Sequence, residues 1–158
     1  MPFLRGSGLM CGFYVNELIL RLLPRDDSHE RLFDAYAGSL ERLGQGESTA
    51  VVLRGFEKRL LAELGYAMLL DRDAASGAPI DPALHYLYDP DRGPVPVTGS
   101  AGGDLVVRGS TLLDLGRDDF SSVETLQQSR GLMRTLIGQR LHGQTLHTRS
   151  VLLELQDL

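Results

Sequence analysis

One cysteine, Cys11, is all the thiol that the 158-residue chain contains. A lone thiol forms no internal disulfide and makes no thiolate zinc site by itself. Its neighbours Met10 and Phe13 are apolar, so Cys11 reads as a buried structural thiol rather than a nucleophile. Long apolar runs are also missing. A membrane-crossing helix needs roughly 20 predominantly apolar residues, and the best candidate, 13–23, is interrupted by Asn16, Glu17 and Arg21. That segment has neither the charged start nor the small-residue cleavage site of a signal peptide. The expectation is a cytoplasmic protein with no membrane association. Asp and Glu are absent from 125–153, where Arg130, Arg134, Arg140 and Arg149 give a local charge of +4 within a total of −5. A basic end on an acidic body can hold an acidic ligand. The overall negative charge disfavours a dedicated nucleic-acid binder, and composition alone favours reading the arginines as a solvated helix face.

Helical periodicity dominates what is present. Phe13, Tyr14, Leu18 and Leu22, flanked by Val15, Ile19 and Leu23, recur at helical spacing until Pro24. Glu17 and Arg21 form an i, i+4 pair in the favourable order. Asn16 and Glu17 read as polar groups with partners inside the fold. Asp27 is placed to cap a second helix, with Glu30 three residues on and Leu32, Phe33, Tyr36, Leu40 and Leu43 following; Gly44 and Gly46 end it. Ser48 or Thr49 caps a third, with Val52, Phe56, Leu60 and Leu64 as its stripe and Gly65 as its stop. Gly55, inside that helix, suggests a close packing contact. Five of the seven prolines fall in 71–103, which predicts a loop-rich insert over 71–108. Short strands near 85–88 and 105–107 would make one hairpin, and 99–103 a loop tip. Helical period resumes over 110–115, then after Ser121 or Ser122 with Leu126, Met133, Ile137 and Leu141 inward, until Gly143. A last short helix is predicted over 146–155. The fold class is mainly α, a helical bundle-like domain with a small loop-rich or β insert. It occupies 9–158 behind a linker or disordered start at 1–8.

Tests for chemistry fail one by one. The acidic run from Asp71 lacks the glycine and final glutamate of a calcium loop, with Ser76 and Pro82 in those places. Gly99-Ser100-Ala101-Gly102-Gly103 is followed by Asp104, not by the lysine of a phosphate-binding loop. His29, His85, His142 and His147 form no His-Glu-x-x-His helix, and no Gly-x-Ser-x-Gly elbow supports a hydrolase triad. The expectation is a binding module, not an enzyme, with no cofactor and no metal.

Three segments together resemble a known family. Gly12-Phe13-Tyr14-Val15-Asn16-Glu17-Leu18, Leu53-Arg54-Gly55-Phe56-Glu57 with Leu60-Leu61 and Leu64-Gly65-Tyr66, and 141–149 (Leu-His-Gly-Gln-Thr-Leu-His-Thr-Arg) are similar, in order and separation, to stretches of the bacterial recombination mediator RecO. The resemblance covers nearly the whole chain and implies the helical C-terminal domain of that family, without its N-terminal OB-fold barrel. It implies a role in DNA repair and homologous recombination, with the partners RecR and single-strand binding protein, SSB, and with single-stranded DNA held mainly through the missing barrel. An acidic tail ending in an apolar residue and a carboxylate wants an apolar pocket edged by arginine. Arg54 stands at the matching family position, with Leu53 and Phe56 as nearby apolar surface. Arg130, Arg134, Arg140 and Arg149 would meet the tail's aspartates or DNA. The alternative reading of Arg54 is a solvent-facing arginine paired with Glu57. Some members carry a four-cysteine zinc knuckle in the insert. Here Asp73 stands at the first cysteine position and no cysteine follows, so the insert is expected to be zinc-free and held by packing. Two rival functions are direct single-stranded DNA binding through the basic end, and a hydrolase with an unrecognised triad.

Overall fold

The computed structural model describes residues 6–23, 29–99 and 102–140. Two compact units are formed, one from 1–67 with 137–158 and the other from 68–136.

In the first unit, α1 (Ser7–Leu22), α2 (Glu30–Gly44) and α3 (Thr49–Glu63) pack against one another in all three pairings. The buried side of α1 comprises Cys11, Tyr14, Val15, Leu18 and Ile19, the i, i+3, i+4, i+7 pattern of an amphipathic helix. Leu32 and Leu43 of α2 join them, with Val52, Leu53, Phe56, Leu60 and Leu61 of α3. Helix α1 begins at Ser7, inside the stretch expected as a linker. Phe13, expected inward, is 51% exposed, and so is Phe33 of α2 at 53%. Leu9 and Leu20 are also exposed and lie within about 40° of Phe13 around α1 at 3.6 residues per turn. Asn16 faces outward with them, whereas Glu17 pairs with Arg21 at 3.4 Å. His29, not Asp27, occupies the N-cap position of α2. Asp27 and Pro24 lie outside the described residues. Ser48 is the N-cap residue of α3 but makes no side-chain capping bond. A Cβ built on Gly55 meets nothing within 4 Å, so the close contact expected there is not found.

The second unit holds β1 (His85–Asp89), β2 (Gly93–Pro96), β3 (Val106–Arg108), α4 (Gly109–Gly116) and the part of α5 (Val123–Arg140) up to Leu136. The sheet is antiparallel in the order β2-β1-β3, one strand more than a hairpin. Tyr86 pairs with Pro96 and Val107, and Leu87 with Val95 and Val106. Tyr86 and Tyr88 point to the buried face while His85 and Leu87 point outward, as strand alternation requires. The tight turn from β1 to β2 is closed by Asp89, whose Oδ1 accepts the N–H groups of Asp91 and Arg92. Gly93 at φ 114° completes it in a conformation that glycine alone adopts easily. The unit takes in α4 and the start of α5 as well as the residues of the expected insert. Thr125 donates to Asp114 at 2.6 Å, and Gln128 accepts from Thr111 and from the Arg108 N–H, binding α5 to α4 and β3. Leu132, Met133, Leu136 and Ile137 are buried along α5. Leu141, Gly143 and the helix expected over 146–155 lie outside the described residues.

Candidate functional site

Helix α3 carries the residues singled out from sequence, and burial decides what each can do. Seven of its positions are buried, Val52, Leu53, Arg54, Phe56, Glu57, Leu60 and Leu61. Together they cover an arc of about 200°. Leu53 and Phe56 are core residues at 1% and 2% exposure. Glu57 falls inside the arc and Arg54 at its rim, so a carboxylate and a guanidinium are carried into the helical core together.

Charges removed from water persist only when paired and hydrogen-bonded. Arg54 Nε donates to Glu57 Oε1 at 2.5 Å, and the Tyr14 hydroxyl of α1 donates to Glu57 Oε2 at 2.8 Å. Both carboxylate oxygens are thereby engaged, and Glu57 joins α3 to α1. The arginine is less completely served, since its Nη1 is buried with no hydrogen-bond partner. A guanidinium presents five N–H donors in a rigid fork, and one buried donor left unmet is unfavourable by about 1–3 kcal/mol. Cys11 adjoins this pair. Burial pushes its thiol up to about 11, with Arg54 and a hydrogen bond to Thr49 opposing and the Glu57 charge adding. A thiol so protonated is a poor nucleophile at neutral pH.

Arg130 and Arg134 are both half-buried on α5, four residues apart and so on one face. Arg140 is occupied otherwise: its guanidinium lies 3.5 Å over the centroid of the Tyr66 ring, a cation–π contact. Tyr66, expected as helix-end packing, is 44% exposed beneath it. Arg149, with the rest of 141–149, lies outside the described residues. A groove of about 370 Å³ is lined by His29, Glu30, Arg31 and Glu63, with His29 Nδ1 3.7 Å from Glu63 Oε2. Among the described residues this lining holds no hydroxyl or thiol. His142 and His147 lie outside the described residues. Among the described residues, no three His, Cys, Asp or Glu side chains stand together as a metal site, and no helix is long and apolar enough to cross a membrane.

Sequence reasoning named Arg54 and its pairing with Glu57, but not the depth of that pair or the Tyr14 hydroxyl that completes it. The signal was present: Glu57 is four residues from Leu53 and Leu61 and three from Leu60, so a helical wheel puts it among them.

These features define a mainly α domain with a small antiparallel sheet that follows α3 and precedes α4 along the chain, and with a buried carboxylate–guanidinium–phenol cluster joining two of its helices. The chain belongs to the Recombination protein O C-terminal family, whose model matches residues 5–149. It is 50% identical over 157 residues to the DNA repair protein RecO of Aromatoleum aromaticum, covering 99% of this chain and 65% of that protein. Over 156 residues it is 47% identical to the RecO of Nitrosospira multiformis, covering 98% of this chain and 64% of the relative. The RecO of Cupriavidus metallidurans is 46% identical over 156 residues, and there the chain spans 52% of the relative's length. The chain thus spans between about half and two thirds of these relatives.

Proposed function

We propose that this chain is a recruiting domain in DNA repair and recombination. It binds the acidic C-terminal tail of SSB and, with RecR, helps load recombinase onto coated single strands. Family membership supports the general role. The observation that carries the binding site is Arg54 Nη1, a buried cationic donor without an acceptor. Arg54 sits at the rim of the buried arc of α3, so a turn of its guanidinium toward solvent lets it grip the tail's terminal carboxylate in two-bond fashion. Glu57 retains the Tyr14 bond through that movement. Leu53 and Phe56 serve by holding α3 in place, because their own surfaces are buried in the core. Arg130 and Arg134, which share a face of α5, are a separate basic surface for an acidic segment or for DNA.

The test is fluorescence anisotropy of a labelled SSB tail peptide, titrated with the chain and with Arg54→Ala, Arg54→Lys and Arg134→Ala. Circular dichroism checks that each variant is folded. Saturable binding that weakens about tenfold or more in folded Arg54→Ala, the loss of one charge-assisted contact, and partly recovers in Arg54→Lys supports the reading. Binding that responds to Arg134→Ala alone moves the site to α5. A chain that ignores the peptide but binds single-stranded DNA with a steep salt dependence would sink the recruiting role in favour of direct DNA binding.

A further inference from the structure

Residues 71–80 lie in the insert where some members of the family carry a four-cysteine zinc knuckle and where this chain is expected to hold no zinc. A knuckle of that kind draws its donors from pairs spaced Cys-x₂₋₄-Cys. This chain has Asp73-Ala74-Ala75-Ser76 there, and the geometry shows what the two polar side chains do.

Asp73 is 5% exposed. Its Oδ1 accepts the N–H groups of Ala75 at 2.9 Å and Ser76 at 2.5 Å, and its Oδ2 accepts the Ser76 hydroxyl at 2.7 Å. Ser76 Oγ in turn accepts the Ala78 N–H at 3.2 Å. Main-chain bonds close the same turn, from Asp73 N–H to the Ala78 carbonyl and from Gly77 N–H to the Asp73 carbonyl. Gly77, at φ 75°, lets the chain reverse. The turn is then fastened to the sheet by the Ala74 N–H, which donates to the Pro94 carbonyl of β2 at 2.7 Å. It is also fastened to itself by the Ile80 N–H on the Asp71 carbonyl and by the pairing of Arg72 with Pro79.

Zinc does not fit this donor set. Both Asp73 oxygens are committed to hydrogen bonds, Ser76 offers a neutral hydroxyl rather than a thiolate, and the chain's one cysteine is in α1. We infer that Asp73 and Ser76 form a metal-free clasp, in which a carboxylate–hydroxyl hydrogen bond joins the first and fourth residues as a metal ion joins the sulfurs of a Cys-x-x-Cys pair. Side-chain oxygen receives the N–H groups of the third and fourth residues and sets the shape of the turn. The main-chain bond to Pro94 supplies the cross-link to the sheet. Two buried tyrosines extend the scheme: the Tyr88 hydroxyl accepts the Leu69 N–H at 3.0 Å and the Tyr86 hydroxyl accepts the Asp81 N–H at 2.9 Å. Residues 69–81 are thus held to β1 by oxygen acceptors in place of a metal.

The whole chain serves for the experiment. Thermal unfolding is followed by circular dichroism with chelator, with added zinc and with neither, for the wild type, Asp73→Ala, Asp73→Asn and Ser76→Ala, alongside amide hydrogen exchange. The wild-type melt is expected to be the same in all three conditions. Asp73→Ala is expected to lower the midpoint by about 4 °C or more and to speed exchange at Ala75 and Ser76 about tenfold or more. Asp73→Asn keeps one acceptor and falls between, while Ser76→Ala loses the clasp bond with the smaller shift. A wild-type melt lowered by chelator would overturn the inference. So would Asp73→Ala with an unchanged midpoint and protected amides. If Asp73→Ala does not fold, the same readings on Asp73→Asn and Ser76→Ala decide, and wild-type behaviour in both would overturn it.

Discussion

Glu57 ties α3 to α1 inside the three-helix unit. It is 1% exposed and holds two partners from two helices. Replacing it by alanine takes the charge partner from Arg54 and the acceptor from the Tyr14 hydroxyl, and breaking a buried pair destabilises by about 3–5 kcal/mol. Tyr14→Phe removes a single hydrogen bond to a charged group, worth about 1.5–3 kcal/mol. Urea denaturation of both variants should rank them in that order, and a Glu57→Ala midpoint equal to wild type would refute the role. The arginine itself was partly legible. Its pairing with Glu57 follows from i, i+3 spacing on a helix, but solvent exposure was the wrong companion to that pairing. The apolar stripe of α3 is wider than the sequence periodicity suggested, because Leu53 and Leu61 turn the core contact past the line of Val52, Phe56 and Leu60. Arg54 is carried under with them.

Among the elements, glycines separate what pattern can and cannot reveal. Gly55 and Gly109 look alike in sequence, each a glycine in or at a helix. A Cβ on Gly55 meets open space, whereas one on Gly109 would run into the Asp81 carbonyl. The Gly109 N–H donates to the Leu84 carbonyl at 2.7 Å as β3 turns into α4, and the approach of the Asp81 carbonyl leaves no room for a side chain there. Gly55→Ala should therefore stabilise by up to about 1 kcal/mol through helix propensity. Gly109→Ala should destabilise by about 1–3 kcal/mol through overpacking. Calorimetry of the two variants should show shifts of opposite sign, and shifts of the same sign would contradict the packing described. Helices α1 to α5 and the strands at 85–89 and 106–108 were legible because periodicity and turn residues are local signals. Strand β2 was hidden, since Gly93-Pro94-Val95-Pro96 has little strand character and is held by its register on β1. The outward side of Phe13 was hidden for a related reason. Apolar residues ring α1 on more than one side, and only tertiary packing selects which side is buried.

On the scale of the whole molecule, acid should act through the 68–136 unit. The Ser76 N–H and hydroxyl hold the Asp73 carboxyl below its ordinary value of 3.8. The Ser121 hydroxyl and N–H, with the Arg117 charge, do the same for Asp119. A carboxyl with a depressed folded pKa contributes stability that is fully present above its unfolded value. That contribution is lost as pH falls through the folded value. The denaturation midpoint should then be flat near neutrality and fall below about pH 4, with a shallower fall in Asp73→Asn. Urea titrations at a series of pH values measure this, and an equal slope in the variant would show that Asp73 is not a source of the acid response. Proline density marks where the three-helix unit stops, but the capture of α4 and the start of α5 rests on Thr125–Asp114 and Gln128–Thr111 bonds between residues 11 and 17 positions apart, which no local pattern announces.

The clasp at Asp73 and Ser76 also has a redox meaning. Peroxides convert exposed thiolates to sulfenic acids and beyond, and a knuckle built on four thiolates would lose its ligands under the oxidising conditions that also damage DNA. A carboxylate bonded to a hydroxyl has no thiolate to lose. The remaining thiol, Cys11, is fully buried and protonated well past neutrality. The described fold therefore presents an oxidant with no exposed sulfhydryl, and the side-chain hydrogen bonds that shape the turn at 73–78 contain no sulfur to oxidise.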